Sequence, residues 1–260
     1  MHVRRPMVVA VIAAVFIASL SLATPAQAAV VSRVVSGTVE CSSGTKVVRI
    51  GITSSNGGGG LATPIYRSST YPQIAFFRYR IFTNTASTLV RLRVGCGGTA
   101  SSPASLNESV QGAVVSGADR ILNARCKDSD DTCSWPRQGT TRTTNPGDPG
   151  YCTWGAAEQW KRRTGTYPGW IGNAFQWDEN ARAAGWWVSP VPHARAVVVF
   201  EAGADYGSLG HVGYVTSMTP LGSGQFDVNI VEMNYPNGNH TFTTRTVRHG
   251  AGMSYIVSTI

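Results

Sequence analysis

Five cysteines constrain this 260-residue chain most strongly, because four of them can be paired and one is left over. We predict disulfides between Cys41 and Cys96 and between Cys126 and Cys133, although four cysteines allow three connectivities. An odd cysteine in a secreted protein indicates intermolecular pairing or a reactive thiol, and an idle thiol is a liability where disulfides persist. We therefore interpret Cys152 as a nucleophile, against the alternative of a buried apolar cysteine.

The first 28 residues have the pattern of a secretory signal peptide. Arg4 and Arg5 precede an apolar run from Met7 to Leu22, and Ala26-Gln27-Ala28 is a small-x-small cleavage pattern. The apolar run is short for a bilayer span, so we predict a removed signal and no transmembrane anchor. The mature protein is expected to be extracellular.

Charge and composition divide the remaining chain into two parts. Residues 29–110 carry eight Lys/Arg against two Asp/Glu, whereas residues 151–260 carry seven of each. We predict a small basic all-β module over residues 29–98, a linker over residues 99–117 and a second domain over residues 118–260. The segment 114–125 at their junction is expected to be a short helix.

The basic module is predicted to contain a hairpin of two strands, Ile74–Phe82 and Leu89–Val94. The simplest register places Arg80 opposite Arg91 and also sets a second pair of arginines, two residues further along, against each other. Like charges directly opposite one another are unfavourable. The ladder therefore indicates either an anionic polymer bound at this module or a solvated basic face. The sequence has no signal for specific nucleic-acid recognition.

Three aspartates follow Cys126, at positions 128, 130 and 131. Clustered carboxylates suit a hard cation such as Ca²⁺, but this loop lacks the Gly at position six and the terminal Glu of an EF-hand loop. We expect a solvated loop and no metal.

Cys152 is predicted to lie in the first turn of a helix. Asp148-Pro149-Gly150 interrupts the chain and can cap a helix from Tyr151 to Arg163, which ends before Gly165. Unpaired N–H groups and the positive end of the macrodipole favour a thiolate there. A thiolate at neutral pH is what nucleophilic attack on a carbonyl requires.

His211 is the candidate base, because it opens the strand-like run Gly210–Val215. A second alternating run, Val228–Tyr235, places Glu232 and Asn234 on one face. Either side chain could accept the imidazole N–H and fix the tautomer.

Four motifs in this order resemble the CHAP domain family of papain-like cysteine amidases and endopeptidases that cleave peptidoglycan. They are Cys152-Thr153-Trp154, Gly172-Asn173-Ala174 with Trp177, Gly210–Val215, and Glu232-Met233-Asn234-Tyr235. The resemblance covers about residues 118–260. It implies an α+β, papain-like fold in which N-terminal helices pack on an antiparallel sheet.

The resemblance also implies roles for individual residues. Cys152 is the nucleophile, His211 the base, Glu232 the group that orients the imidazole, and Asn234 a further polar member of the site. The substrate-binding residues implied are Tyr151, Trp154, Trp177 and Tyr235. Family members usually carry Gln before the cysteine, so Tyr151 puts a side-chain oxyanion donor in doubt.

The implied function is a cofactor-free, monomeric hydrolase that is secreted or associated with the cell wall and cleaves a peptidoglycan amide bond through a thioester. Two alternatives stay open: a non-catalytic cell-wall binding protein with a degenerate peptidase-like domain, and a cysteine acyltransferase. Four tryptophans could stack on glycan rings or belong to the core. They are Trp170, Trp177, Trp186 and Trp187.

Overall fold

The computed structural model describes residues 30–258, apart from residues 110–111, 117–118 and 237. Of the described residues, 48% lie in strands and 10% in helices. The predicted signal peptide, residues 1–28, lies outside them. Within the described residues, no helix has the length and apolar composition that a membrane span needs.

The first half of the chain forms one curled, eleven-stranded sheet. Its strands are β1 (Val31–Cys41), β2 (Val47–Ser54), β3 (Gly60–Leu61), β4 (Ile65–Arg67), β5 (Ile74–Thr83), β6 (Ser87–Gly98), β7 (Pro103–Ser109), β8 (Ala113–Ser116), β9 (Arg120–Ile121), β10 (Ala124–Lys127) and β11 (Thr132–Ser134). The order is β3-β2-β6-β7-β11-β10-β1-β5-β4, with β8 beside β6 and β9 beside β1. The sheet is mixed, because β1 runs parallel to β9 and β10, and β7 runs parallel to β11.

Period-two alternation explains how this sheet builds its core. In β6, Val90, Leu92 and Val94 are fully buried, while Arg91 and Arg93 between them are exposed. Disulfides join Cys41 to Cys96 and Cys126 to Cys133, so both predicted pairs are confirmed, and all four cysteines lie in this core.

The predicted hairpin is wrong, because β5 and β6 do not pair. β5 lies between β1 and β4, whereas β6 lies between β2 and β7. Arg80 is opposite Val34 and Arg91 is opposite Thr53, so the ladder of like charges does not form. Arg91 and Arg93 instead lie near Glu108, at 3.8 and 3.5 Å. Both strands bury one apolar face in the same core, and they do so from different positions in the curled sheet.

The helix expected over residues 114–125 is also wrong. That segment contributes β8, β9 and the start of β10. β-Branched residues favour strands, and both Val115 and Leu122 are fully buried in the sheet's core. Strands β7 and β8 occupy much of the stretch predicted as a linker.

The second half of the chain places two helices beside a six-stranded antiparallel sheet. After a small ladder of β12 (Thr141–Arg142) and β13 (Tyr167–Pro168) come β14 (Val188–Ser189), β15 (Val197–Phe200), β16 (His211–Pro220), β17 (Phe226–Met233), β18 (Phe242–Arg248) and β19 (Met253–Ile256). The sheet order is β14-β19-β15-β16-β17-β18. The helices are α1 (Cys152–Thr164) and α2 (Trp177–Ala183), the latter preceded by a 3₁₀ turn, Ala174–Gln176.

The predicted α+β, papain-like class is wrong for this chain. Among the described residues, those in strands outnumber those in helices by nearly five to one, and the described part of the chain starts with the curled mixed sheet and not with helices. Its α-helices comprise 13 residues in α1 and seven in α2. The fold class was implied by the family resemblance, which did not extend to residues 29–110.

Candidate active site

Local backbone geometry presents Cys152 at the start of α1. Tyr151 precedes it in an extended conformation and donates its N–H to the Asp148 carbonyl at 3.1 Å. No side chain caps the helix, so N–H groups of its first turn lack a side-chain acceptor. The helix ends at Gly165, whose φ of 84° suits glycine. Cys152 is a free, partly buried cysteine, and the predicted helix is confirmed.

His211 lies at the first position of β16, in the middle of the six-stranded sheet, and is buried. Its imidazole interacts with the thiol of Cys152. Burial by itself lowers the pKa of His211, but the interactions with Cys152 and Glu232 outweigh it, so the pKa is raised above 6.5. The imidazole therefore keeps its proton to a higher pH than an isolated histidine does.

Glu232 is the acidic neighbour of His211. The two strands pair so that Gly213 is opposite Glu232, and the Glu232 Oε2 lies 2.8 Å from His211 Nε2. The side chain of Glu232 is only 1% exposed. Burial raises the pKa of this carboxyl, but hydrogen bonds from His211 and Arg245 outweigh the effect and leave it lowered. Glu232 is thus an ionised carboxylate that accepts the imidazole N–H.

Arg245, which the sequence analysis missed, completes the group. Its Nε lies 2.6 Å from Glu232 Oε1, and one terminal nitrogen lies 3.2 Å from Glu232 Oε2. This bidentate contact fixes the carboxylate plane. Arg245 lies two residues beyond Thr243, the partner of Glu232 on β18. The alternation of β18 could have placed Arg245 on the same face as Thr243. It identifies a contact with Glu232 only when β18 is known to pair with β17.

Two tyrosines form an aromatic wall around the imidazole. The Tyr206 ring stacks nearly parallel to His211, with centroids 5.7 Å apart and planes at 8°. Tyr235 contacts the same ring at 5.2 Å, and the Arg245 guanidinium lies 4.2 Å from the Tyr235 centroid. Arg245 also donates to the Tyr206 hydroxyl at 3.2 Å. The ring of His211 is therefore held on both its edge and its face.

An open cleft of about 570 Å³ lies beside Cys152 and His211. It is lined by Tyr151, Cys152, the loop 205–210, His211, Asn234, Tyr235 and Pro236. A thiol and an imidazole thus meet at a cleft, with a buried carboxylate behind the imidazole, and such an arrangement can support acyl transfer through a covalent intermediate.

Comparison with known proteins finds a family match over the segment that contains this group. Residues 142–234 match the CHAP domain. The matched segment contains Cys152, His211 and Glu232, whereas Arg245 lies beyond it. As a label only, "CHAP region" denotes residues 142–256, which are the matched segment and the rest of its sheet.

Curated relatives resemble only part of the chain. Over 87 residues this chain is 38% identical to the staphylococcal secretory antigen ssaA2 of Staphylococcus aureus strains NCTC 8325 / PS 47 and COL. Each match covers 33% of this chain and 30% of the relative, so the chain spans under a third of the relatives' length. A crystal structure of an N-acetylmuramoyl-L-alanine amidase from the same species aligns with 46% of this chain and 35% of that chain, at 29% identity and a TM-score of 0.38.

Asn234 lies at the edge of the CHAP cleft. Its backbone is left-handed, with φ of 64°, and its Oδ1 accepts the His240 N–H at 3.2 Å. Within the described residues it makes no hydrogen bond to His211. Of the two acceptors that the alternation suggested, Glu232 contacts the imidazole and Asn234 shapes the loop.

The structure separates the four residues predicted to bind substrate. Tyr151 and Tyr235 line the cleft. Trp154 is half-buried, with its ring 6.5 Å from that of Phe242. Trp177 is only 1% exposed and donates its indole N–H to the Gly172 carbonyl, so it belongs to the core.

Proposed function

We propose that the CHAP region is a cysteine hydrolase that cleaves an amide bond of peptidoglycan. The observation that carries the proposal is the juxtaposition of the Cys152 thiol and the His211 imidazole at an open cleft, with Glu232 hydrogen-bonded to His211. Each group has the chemistry that its position requires: a thiol at a helix start, an imidazole with a raised pKa, and a buried carboxylate.

The first step forms a carbon–sulfur bond. The thiolate of Cys152 attacks the amide carbonyl carbon, and the carbonyl π electrons move to oxygen to give a tetrahedral oxyanion. Backbone N–H groups at the start of α1 are the available donors to that oxygen, because no side chain caps them. Loss of one oxyanion donor typically costs about 10²–10³ in rate, so Tyr151 in place of Gln would slow the reaction without abolishing it.

The second step breaks the carbon–nitrogen bond. The oxyanion collapses, and the His211 imidazolium gives its proton to the departing amine. Glu232 stabilises the imidazolium before transfer and keeps the ring aligned afterwards. Neutral His211 then takes a proton from water as that water attacks the thioester, which releases the acid and restores the thiolate.

The choice of peptidoglycan is supported by the family match, and export is supported by the secretory antigen among the relatives. The same chemistry serves an N-acetylmuramoyl-L-alanine amidase or an endopeptidase. The proposal includes secretion of the protein and its association with the cell wall. It also includes the arrangement in which a β-rich region precedes the CHAP region. A signal peptide over residues 1–28 would provide the export.

Product analysis tests the proposal directly. Purified peptidoglycan is incubated with the protein and with Cys152→Ala, and the released fragments are examined by mass spectrometry for new free amines and carboxylates. Arg162→Ala, on an exposed part of the same helix, is the matched control and should cleave like the parent. New amine–acid pairs with the parent and none with Cys152→Ala are expected. Equal cleavage by Cys152→Ala would overturn the proposal, and acyl groups transferred to an added amine in preference to water would reassign the protein as an acyltransferase.

A further inference from the structure

A second pocket lies between the eleven-stranded sheet and the CHAP region. Its volume is about 270 Å³. Its lining combines aromatic and basic side chains: Arg125, Trp135, Arg137, Trp186 and Trp187. Trp186 is buried and forms the floor, whereas Trp135 and Trp187 remain partly exposed.

Strand register places this pocket far from the catalytic cleft. Phe200, at one end of β15, is opposite His211. Val197, at the other end of β15, is opposite Ile256 of β19, and Ile256 is in turn opposite Val188, the residue that follows Trp187. Three residues along a strand span about 10 Å, and three strand spacings about 14 Å, so Trp187 lies well outside reach of the Cys152 sulfur.

The Trp187 indole is held in a fixed orientation. Its side chain interacts with Glu40, and Arg125 makes an ion pair with the same carboxylate at 3.1 Å. The Arg125 guanidinium also lies 5.9 Å from the Trp187 ring centroid, and His193 meets that ring edge-on at 4.7 Å. A ring fixed by contacts from both sheets loses little conformational entropy when a ligand stacks on it.

The two arginines differ in their availability. Arg125 is committed to Glu40. The Arg137 side chain is exposed, and in the described part of the chain it has neither an ion pair nor a side-chain hydrogen bond. Its planar guanidinium can therefore bind a carboxylate in bidentate fashion.

We propose that this pocket binds a glycan strand that carries carboxylate groups. Indole faces offer large, rigid apolar surfaces that suit the C–H face of a pyranose ring, and Arg137 supplies the charge that distinguishes an acidic sugar from a neutral one. The identity of the strand rests on the proposed function, because the glycan of peptidoglycan alternates a neutral amino sugar with one whose lactyl carboxylate is free wherever no peptide is attached. The pocket holds such a peptide-free stretch while the distant cleft acts on a peptide elsewhere on the same strand.

The test measures binding without turnover. Full-length Cys152→Ala protein is titrated with peptide-free peptidoglycan glycan chains and, separately, with neutral tetra-N-acetylchitotetraose. Indole N–H resonances and calorimetry report the site and the affinity. We expect the Trp135 and Trp187 resonances to shift, with the acidic chains bound more tightly than the neutral ones.

Variants separate a binding role from a structural one. In the Cys152→Ala background, Trp135→Ala should raise the Kd for the acidic chains about tenfold. Arg137→Ala, at an exposed position that folding tolerates, should raise it about threefold and leave the Kd for the neutral chains unchanged. Arg162→Ala is the matched control.

Three results would overturn the proposal: binding that leaves the Trp135 and Trp187 resonances unshifted, the same Kd for Arg137→Ala and its parent, or no binding of either glycan. Failure of the proposed function is distinguishable, because a protein that binds these chains at Trp135 but cleaves no peptidoglycan would retain the pocket and lose the hydrolase.

Discussion

The two sheets of this protein use their cysteines for opposite purposes. In the eleven-stranded sheet all four cysteines are buried and bridged, over sequence separations of 55 and seven residues. In the CHAP region the single cysteine is free and partly exposed at a helix start. The first arrangement removes reactivity to gain stability, and the second retains a free thiol.

Buried polar side chains show the same contrast. In the first sheet Asn123 accepts the Thr38 backbone N–H at 3.1 Å, so a neutral amide completes backbone hydrogen bonding. In the CHAP region Glu232, His211 and Arg245 bind one another and can exchange or stabilise charge. Burial of a polar side chain therefore does not by itself indicate a functional site. Ionisable groups that are bound to one another beside a cleft are the better indication.

Replacement of the free cysteine is the strongest way to break this contrast. Cys152→Ala should lower kcat/KM on peptidoglycan fragments by at least about 10⁴-fold, because no other thiol is free to form the thioester. The free energy of unfolding, followed by urea titration, should change by less than about 1 kcal/mol for this partly exposed residue. A large loss of stability with retained activity would show that Cys152 is a structural residue and not the nucleophile.

Removal of a bridge should have the converse effect. The double variant Cys41→Ala/Cys96→Ala opens a loop of 55 residues and should lower the free energy of unfolding by about 4 kcal/mol. Its kcat/KM, measured where the protein is still folded, should match the parent within about twofold. If activity falls tenfold in folded protein, the two sheets are coupled and the contrast weakens.

Neutralisation of Glu232 tests whether its charge acts through His211. Glu232→Gln should reduce kcat/KM about 10²-fold, since the imidazolium loses its stabilising carboxylate. The His211 pKa is raised partly by Glu232, so the alkaline limb of the pH–rate profile should move to lower pH in the variant. An unchanged limb with the same loss of rate would indicate a purely structural carboxylate.

Arg245 offers the finest comparison, because β18 carries a matched control. Arg245→Met should reduce kcat/KM about tenfold, since Glu232 loses a bidentate partner that lowers its pKa. The Glu232 pKa should rise, which moves the acidic limb of the profile to higher pH, and Arg245→Lys should restore part of the shift.

Arg248 is the control for this variant, because it pairs with the exposed Asp227 at 2.6 Å on the same strand. Arg248→Met should leave both limbs in place. Matching effects at Arg245 and Arg248 would show that the sheet, and not the site, had been disturbed.

Much of the site could be predicted from local patterns. Cys152 at a helix start, His211 at a strand start and the alternation through Glu232 are properties of short segments, and the helix and both strands form as expected. The disulfides followed from cysteine arithmetic.

What failed depended on which segments become neighbours. The β5–β6 hairpin was expected from sequence adjacency, yet four other strands, β7, β11, β10 and β1, lie between the two in the sheet. Trp177 looked like a ligand platform, but its neighbours in the core, Trp170 among them, come from other segments. Arg245 was invisible for the same reason, because its contact with Glu232 depends on the order of β17 and β18.

Active-site titration tests whether the Cys152 sulfur is the nucleophile. The protein is treated with increasing iodoacetamide, the alkylated fraction of Cys152 is determined by peptide mass spectrometry, and the hydrolysis rate is measured on the same samples. We expect the rate to fall linearly with the alkylated fraction and to reach zero when Cys152 is fully alkylated, with protection by added substrate. Undiminished hydrolysis at complete alkylation of Cys152 would show that another group is the nucleophile.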